Sequence, residues 1–310
     1  MPKHSSATRR REQTKNERRQ RLRSQRQGKK NQQKPSTSTT WILLGSIIGG
    51  ITLIIALFLY QASSRSSDQL QPGQDTALKA IPSLKPELLE QVGTGSLASN
   101  PMTTIKNTPI LKGKDGKPVV LYVGAEYCPF CAGQRWAMII ALSRFGSFGE
   151  LHGFLSGEGN IPSYSFYQGS YTSHYIDFQG KETGDNTPPP ATKQLDTLTE
   201  EQQHIVDTYN TEKYLSRSGI PFIDIANRYI SSGAYFPIDL FYNVSYQEIG
   251  DKLQTASDPL AQGVIGAANY LTAAICVVTT TNQRMSVTVP RFKESRRNWH
   301  SLLRAFLLQH

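Results

Sequence analysis

Apolar residues gather along this chain in one long unbroken block and then in short runs separated by polar turns. The block is Trp41–Tyr60, WILLGSIIGGITLIIALFLY, twenty residues without a charge. At about 1.5 Å per residue a helix of that length reaches about 30 Å, the depth of a bilayer's hydrocarbon core. Trp41 and Tyr60 stand at its two ends, where amphipathic rings favour the headgroup region, so the pattern predicts a transmembrane helix. Further on, the pattern predicts a brief helix over Pro86–Val92 with Pro86 in its first turn, and an edge strand over Ile105–Leu111 followed by a turn over Lys112–Gly116. Pro118–Gly124 is a near-continuous apolar run suited to a strand buried on both faces. Residues 129–145 have a helical apolar face ending at Gly146. Ser163–Tyr167 and Ser173–Phe178 are aromatic-rich strand candidates, and Ile220–Ile225 is another apolar strand. Thr197–Tyr209 reads as a helix, with Thr199 as cap and Glu200 and Glu201 in its first turn. Ser245–Thr255 and Asp258–Val277 read as two closing helices. Strands alternate with helices, which predicts a layered α/β domain.

Charge sharpens this division. Residues 1–40 hold 13 Lys and Arg against Glu12 and Glu17, a net of +11, whereas the other 270 residues sum to −1. Arg, Gln, Lys and Ser dominate those forty residues, a composition that buries too little surface to offset ordering. A cleavable signal peptide has a shorter basic leader and a shorter apolar core. The sequence therefore favours an uncleaved anchor with its basic side in the cytoplasm and everything after Tyr60 outside. Attraction to anionic lipid accounts for the basic tail. No nucleic-acid motif or interleaved aromatics accompany the charge, so no nucleic-acid partner is expected. Residues 61–100, rich in Ser, Gln, Pro and Gly, suit a tether. The expected organisation is a basic cytoplasmic tail at 1–40, a membrane helix at 41–60, a linker at 61–100, a folded domain at 101–287 and a basic C-terminal tail at 288–310. That last tail contains a possible amphipathic segment with Trp299, Leu302, Leu303, Phe306 and Leu307.

The candidate chemistry lies in Cys128-Pro129-Phe130-Cys131, between the buried strand and the helix. A helix N-terminus, with its unpaired N–H groups and positive dipole end, favours a thiolate at Cys128. Cys131, one turn on, is placed to resolve a mixed disulfide. Pro129 fits the first helical turn, where no N–H is needed, and Phe130 adds apolar surface for a polypeptide substrate. Two other interpretations stand beside the redox one. A zinc site needs more ligands, which Cys276 and a histidine such as His152 or His174 would supply. A purely structural disulfide also suits an oxidising compartment. No metal or other cofactor is expected. Cys276 reads as a core cysteine buried in the last helix. Arg135, seven positions after Cys128, either adds positive potential or is solvated or paired with an acid. Glu126 either assists proton transfer or lies on the rim. Tyr164, Tyr167, Tyr171 and Tyr175 either line a groove or pack.

The stretch from Ala125 through Cys128-Pro129-Phe130-Cys131 to Ala137, continuing over Ala141–Gly146, carries a resemblance, and so do Gly219-Ile220-Pro221-Phe222 and Leu271–Cys276. Over about residues 100–280 the chain resembles a membrane-anchored thioredoxin-like family of archaea and some bacteria, domain of unknown function 929. That resemblance implies a thioredoxin-like α/β fold with a cis-proline at Pro221 beside the thiols, and Ile220 and Pro221 orienting an extended substrate. The long interval from Cys131 to Pro221 then implies a partly helical insertion between the Cys-x-x-Cys helix and the cis-proline strand. The implied activity is thiol–disulfide exchange on secreted or membrane proteins, with a membrane or extracellular redox partner. A non-catalytic binding module with an inert disulfide is the alternative.

Overall fold

The computed structural model describes residues 77–79, 81, 84–113 and 115–282, together with Arg19 and Ile54. Contacts divide the chain into Met1–Ser66 and Ser67–His310. Within the first unit Arg19 and Ile54 are helical; the predicted membrane helix at 41–60 otherwise lies outside the described residues, as does the C-terminal tail at 288–310.

The second unit is a mixed α/β fold organised around one strand. Its elements are α1 (Pro86–Val92), β1 (Thr103–Thr104), β2 (Val119–Gly124), α2 (Pro129–Leu142), β3 (Gly146–Phe148), β4 (His152–Leu155), β5 (Pro162–Ser165), β6 (Tyr171–Ser173), β7 (Asp177–Glu182), α3 (Glu200–Tyr209), β8 (Phe222–Ile225), β9 (Tyr229–Ser232), a 3-10 turn (Ile238–Phe241), α4 (Tyr246–Leu253) and α5 (Pro259–Asn282). The main sheet has the order β1-β9-β8-β2-β7. β2 pairs in parallel with β7 and antiparallel with β8, and β9 is antiparallel to both β8 and β1.

All six residues of β2 are buried, which is why its sequence is apolar without alternation. Successive side chains still part to opposite faces. Val120 and Tyr122 join the larger core with α2 and α5, while Val119, Leu121 and Val123 join a smaller core with Ile205 of α3 and Phe222. α5 is the only helix among the described residues long and apolar enough to cross a membrane, over Pro259–Thr279, yet 78% of that window is buried. It packs against α1, α2 and α4.

The folded unit begins before the expected boundary at Pro101. Ala77, Ile81, Leu84 and Val92 are buried in the larger core, so part of the segment assigned from composition to a linker is structural. Arg144, just beyond α2, donates to Thr272 Oγ1 (3.0 Å) and Asn269 Oδ1 (2.9 Å), and Asn269 Nδ2 donates to the carbonyls of Leu89 and Gly93 (2.8 and 2.7 Å). The turn after α1 lies so close to α5 that a Cβ on Gly95, whose φ is +59°, would meet the Gln262 carbonyl oxygen at 1.8 Å.

Capping makes several boundaries agree with the sequence pattern. Thr199 and Ser245 both cap their helices through reciprocal bonds with Gln202 and Glu248. Elsewhere the structure differs. Residues 105–111 form no strand; the edge contribution is the two-residue β1. The segment expected as one strand over 173–178 is split between β6 and β7. The insertion after α2 is built from two small two-stranded sheets, β3–β6 and β4–β5, and α3 is the one α-helix between α2 and Pro221. Trp136 Nε1 donates to the Pro162 carbonyl (2.8 Å) and Ser163 Oγ to the Ala132 carbonyl (2.9 Å), which fastens β4–β5 onto α2.

Asp224, in β8, is fully buried; its Oδ1 accepts from Asn227 N–H (2.8 Å) and its Oδ2 has no hydrogen-bond partner. Burial pushes its pKa up from 3.8 to about 7. Below about pH 4 folded and unfolded chains both keep the proton, so there is no penalty. Between about 4 and 7 the unfolded chain ionises first, so stability falls as pH rises and levels off above the folded pKa. Asp224→Asn should therefore stabilise the domain progressively from pH 4 to pH 7.5, by roughly 2–4 kcal/mol at the upper end. Thermal denaturation of both chains across that range checks this; a difference independent of pH would contradict the assignment.

Candidate redox site at the N-terminus of helix α2

Gly124 ends β2, and the chain turns through Ala125, Glu126 and Tyr127 before Cys128 caps α2. Cys128 has extended backbone angles (φ −75°, ψ 122°), which aims its Sγ back over the first turn, where it accepts the Cys131 N–H at 3.2 Å. Sulfur here occupies the place an N-cap oxygen usually takes. Pro129 follows at the first helical position, half-buried. Cys131 is wholly buried, Cys128 is 5% exposed, and Phe130 between them is 44% exposed. Both cysteines are free thiols in this structure.

The Cys128 thiol is displaced below its ordinary pKa, first through the hydrogen bond shared with the Cys131 thiol. The Cys131 N–H and the nearby Arg135 guanidinium act in the same direction, against desolvation. Cys131 is pushed well above its ordinary value, first by burial and then by supporting a thiolate on Cys128. One sulfur is set to ionise and the other to hold its proton.

The β8 end of the sheet completes the site. The Ile220–Pro221 peptide bond is cis, and the Ile220 carbonyl oxygen lies 3.8 Å from Cys128 Sγ. Pro221 is buried and Ile220 half-buried. The structure thus brings Cys128, Pro129, Phe130, Cys131, Ile220 and Pro221 to one place, although 92 positions separate Cys128 from Ile220.

Beneath the thiols lies an ion pair that neither periodicity nor a motif announces. Arg135 and Glu182 both have fully buried side chains. Arg135 Nε donates to Glu182 Oε1 (2.8 Å), and its Nη2 donates to Glu182 Oε2 (2.5 Å) and to the Ala125 carbonyl (2.8 Å). The guanidinium carbon stands 5.8 Å from the Tyr122 ring centre and 5.2 Å from that of Phe154. Glu182 ends β7, directly opposite Gly124 in register. Arg135 is not solvated: it pairs with an acid, and its guanidinium also adds positive potential at the thiols. The available signal was its i+4 spacing from Cys131, which places it on the same helix face. Glu126 accepts from Ser165 Oγ (2.5 Å), and burial raises its pKa.

The remaining candidates lie apart. Among the described residues no three His, Cys, Asp or Glu side chains gather as a metal site. Cys276 is half-buried in α5. Tyr164 packs on Trp136 (ring centres 5.2 Å apart) and Tyr171 on Phe148 and Phe178 (4.9 and 5.6 Å), so both are packing residues. A cleft of 630 Å³ runs beside β7, between Phe148, Tyr171 and Phe178 and the α3 residues Gln202 and Ile205; neither Cys128 nor Cys131 lines it.

The family model described as a domain of unknown function (DUF929) matches residues 102–277, more than half of the chain, and the chain belongs to that family. No curated protein and no solved structure matches it.

After mild reduction, iodoacetamide at pH 7 should modify Cys128 ahead of Cys131 and Cys276. The rate should rise with pH through a midpoint below about 8.5, the usual thiol value. Because the bond from the Cys131 thiol is the largest influence on Cys128, Cys131→Ala should move that midpoint upward and slow modification at pH 7 by several-fold, roughly threefold to tenfold. Mass spectrometry of the labelled peptides reads both outcomes, and an unshifted midpoint would refute the coupling.

Proposed function

We propose that this DUF929 member is a membrane-anchored thiol–disulfide oxidoreductase of thioredoxin type, working on protein thiols and disulfides on the extracytoplasmic side. The observation that carries the proposal is the position of Cys128 Sγ: it accepts the Cys131 N–H at 3.2 Å and lies 3.8 Å from the carbonyl that precedes a cis-proline. The order β7-β2-β8-β9, with β7 parallel and β8 antiparallel to β2, supports the thioredoxin comparison. So does the position of the cysteines just after the central strand and of Pro221 just before β8. For the anchor and its orientation the support is the Trp41–Tyr60 block and the basic residues before it.

In the proposed reaction the Cys128 thiolate attacks one sulfur of a substrate disulfide; a Cys128–substrate S–S bond forms and the other substrate sulfur leaves and takes up a proton. Cys131 then loses its proton to water and its sulfur attacks Cys128 Sγ. The Cys128–Cys131 bond forms, the mixed disulfide breaks, and the second substrate sulfur departs as a thiolate that is protonated. The substrate disulfide is reduced to two thiols and the enzyme dithiol is oxidised; the reverse sequence oxidises a substrate dithiol. The exposed Phe130 ring and the Ile220 backbone supply contacts for an extended substrate chain.

The alternative is a binding module whose cysteines form an inert bridge, and the 5% exposure of Cys128 is the observation in its favour. The reduction potential of the pair in the full chain, equilibrated with glutathione in detergent, separates the two. The redox proposal expects a value between about −120 and −270 mV, and a pair still oxidised below about −300 mV identifies a structural bridge. In the same assay Cys128→Ser should abolish exchange, while Cys131→Ser should accumulate a mixed disulfide visible on a non-reducing gel.

A further inference from the structure

Arg135 is placed under the two sulfurs with part of its hydrogen-bonding capacity unspent. It follows Cys131 by four positions in α2, hence on the same helix face one turn deeper. Its Nε and Nη2 are committed to Glu182 and Ala125, but its buried Nη1 has no hydrogen-bond partner, and neither has the buried hydroxyl of Tyr122 on the adjoining strand. Buried donors without partners are rare because each forfeits its hydration. Arg135 and Tyr122 both interact electrostatically with Cys128 and Cys131, on whose sulfurs negative charge appears transiently in exchange.

Resting on the redox reading above, we infer that Arg135 is the positioning cation that stabilises charge developing on the two sulfurs, and that Glu182, by sharing its charge, limits how far it does so. A fully buried guanidinium interacts through a low dielectric, so its influence extends over a turn of helix with little screening. Its field favours the thiolate at both Cys128 and Cys131. Glu182 opposes it at Cys131. The other ionisable groups around the guanidinium are Tyr122 from β2, Glu126 from the turn before α2, and Tyr246 from α4. Burial shifts all three toward their neutral forms, and it is the Glu182 carboxylate that is hydrogen-bonded to Arg135.

An electrostatic role makes the two members of this pair act in opposite directions, whereas a purely structural role makes them act alike. The test is the pH midpoint of Cys128 alkylation in the full chain, with reduction potential measured alongside. Glu182→Gln keeps the shape and the acceptor oxygen but frees the positive charge. The midpoint should fall further, and alkylation well below the wild-type midpoint should quicken about threefold to tenfold. The double variant Arg135→Met, Glu182→Gln removes both charges without stranding either. Its midpoint should rise above that of the wild type, with a similar slowing. If both midpoints drift toward the ordinary thiol value, or neither moves, Arg135 and Glu182 serve packing alone and the inference is overturned. Should the double variant not fold, the direction of the Glu182→Gln shift decides by itself. Failure of this inference leaves a wild-type Cys128 that still titrates low and exchanges disulfides; failure of the redox reading shows as a wild-type pair that does neither.

Discussion

A guanidinium and a carboxylate with no access to solvent constrain everything packed around them. Taking two such charges out of water is repaid only when their hydrogen bonds are nearly complete, and removing one partner costs about 3–5 kcal/mol. The Arg135–Glu182 pair therefore fixes the relation of the elements that meet it. It sets the rotation of α2 about its axis, the end of β7 opposite Gly124, and the turn whose Ala125 carbonyl accepts Nη2. Phe166 N–H, just after β5, adds a longer bond to the same carboxylate at 3.4 Å. One interaction thus ties the central sheet, the helix that starts with the cysteines and the inserted strands.

That constraint reaches the thiols through the helix. With α2 held in rotation by Arg135 and Trp136, Cys131 faces inward and Cys128 faces the Ile220 carbonyl, so the two sulfurs meet unequal surroundings. The division into one thiol that ionises early and one that keeps its proton follows from this difference in burial, together with a single N–H at the helix start. Phe130, next to the two cysteines, stays 44% exposed because the N-terminus of α2 is an end of the core.

Much of the fold was legible from local signals. Continuous apolar β2, the Thr199 and Ser245 capping boxes, Pro86 and Pro129 at helix starts and the cysteine spacing all act within a few residues, and there the sequence pattern and the structure agree. The failures involve partners distant in the chain. β7 reads DFQGKE, too polar to resemble a strand, and it is held by pairing with β2 and by Glu182 reaching Arg135, 47 positions away. The edge strand expected over 105–111 does not form; β1 lies just before it at Thr103–Thr104, and within 105–111 the Ile105 and Leu111 N–H groups bond to the carbonyls of Arg228 and Ala226, residues from a distant part of the chain. The cysteines and the proline of the site were visible in the sequence. The buried ion pair was not, since neither Arg nor Glu signals burial without knowledge of the other.

The same limit bears on the two long apolar segments. Trp41–Tyr60 and α5 both satisfy length and hydropathy, because a bilayer and a protein core reward the same composition. They differ in their polar residues and in what surrounds those residues. α5 carries Asn269, whose amide is satisfied from other elements, joining Leu89, Gly93 and Arg144, whereas the Thr272 hydroxyl donates to Ala268 within the helix and also accepts from Arg144. In lipid the same groups would need partners from within the helix or pay for desolvation. Between its amphipathic ends, Trp41 and Tyr60, the block has only Ser46 and Thr52 as polar side chains, residue types that can bond to a carbonyl one turn back in a helix. Polar residues that demand distant partners mark a core helix, and polar residues content with their own helix are compatible with a membrane one.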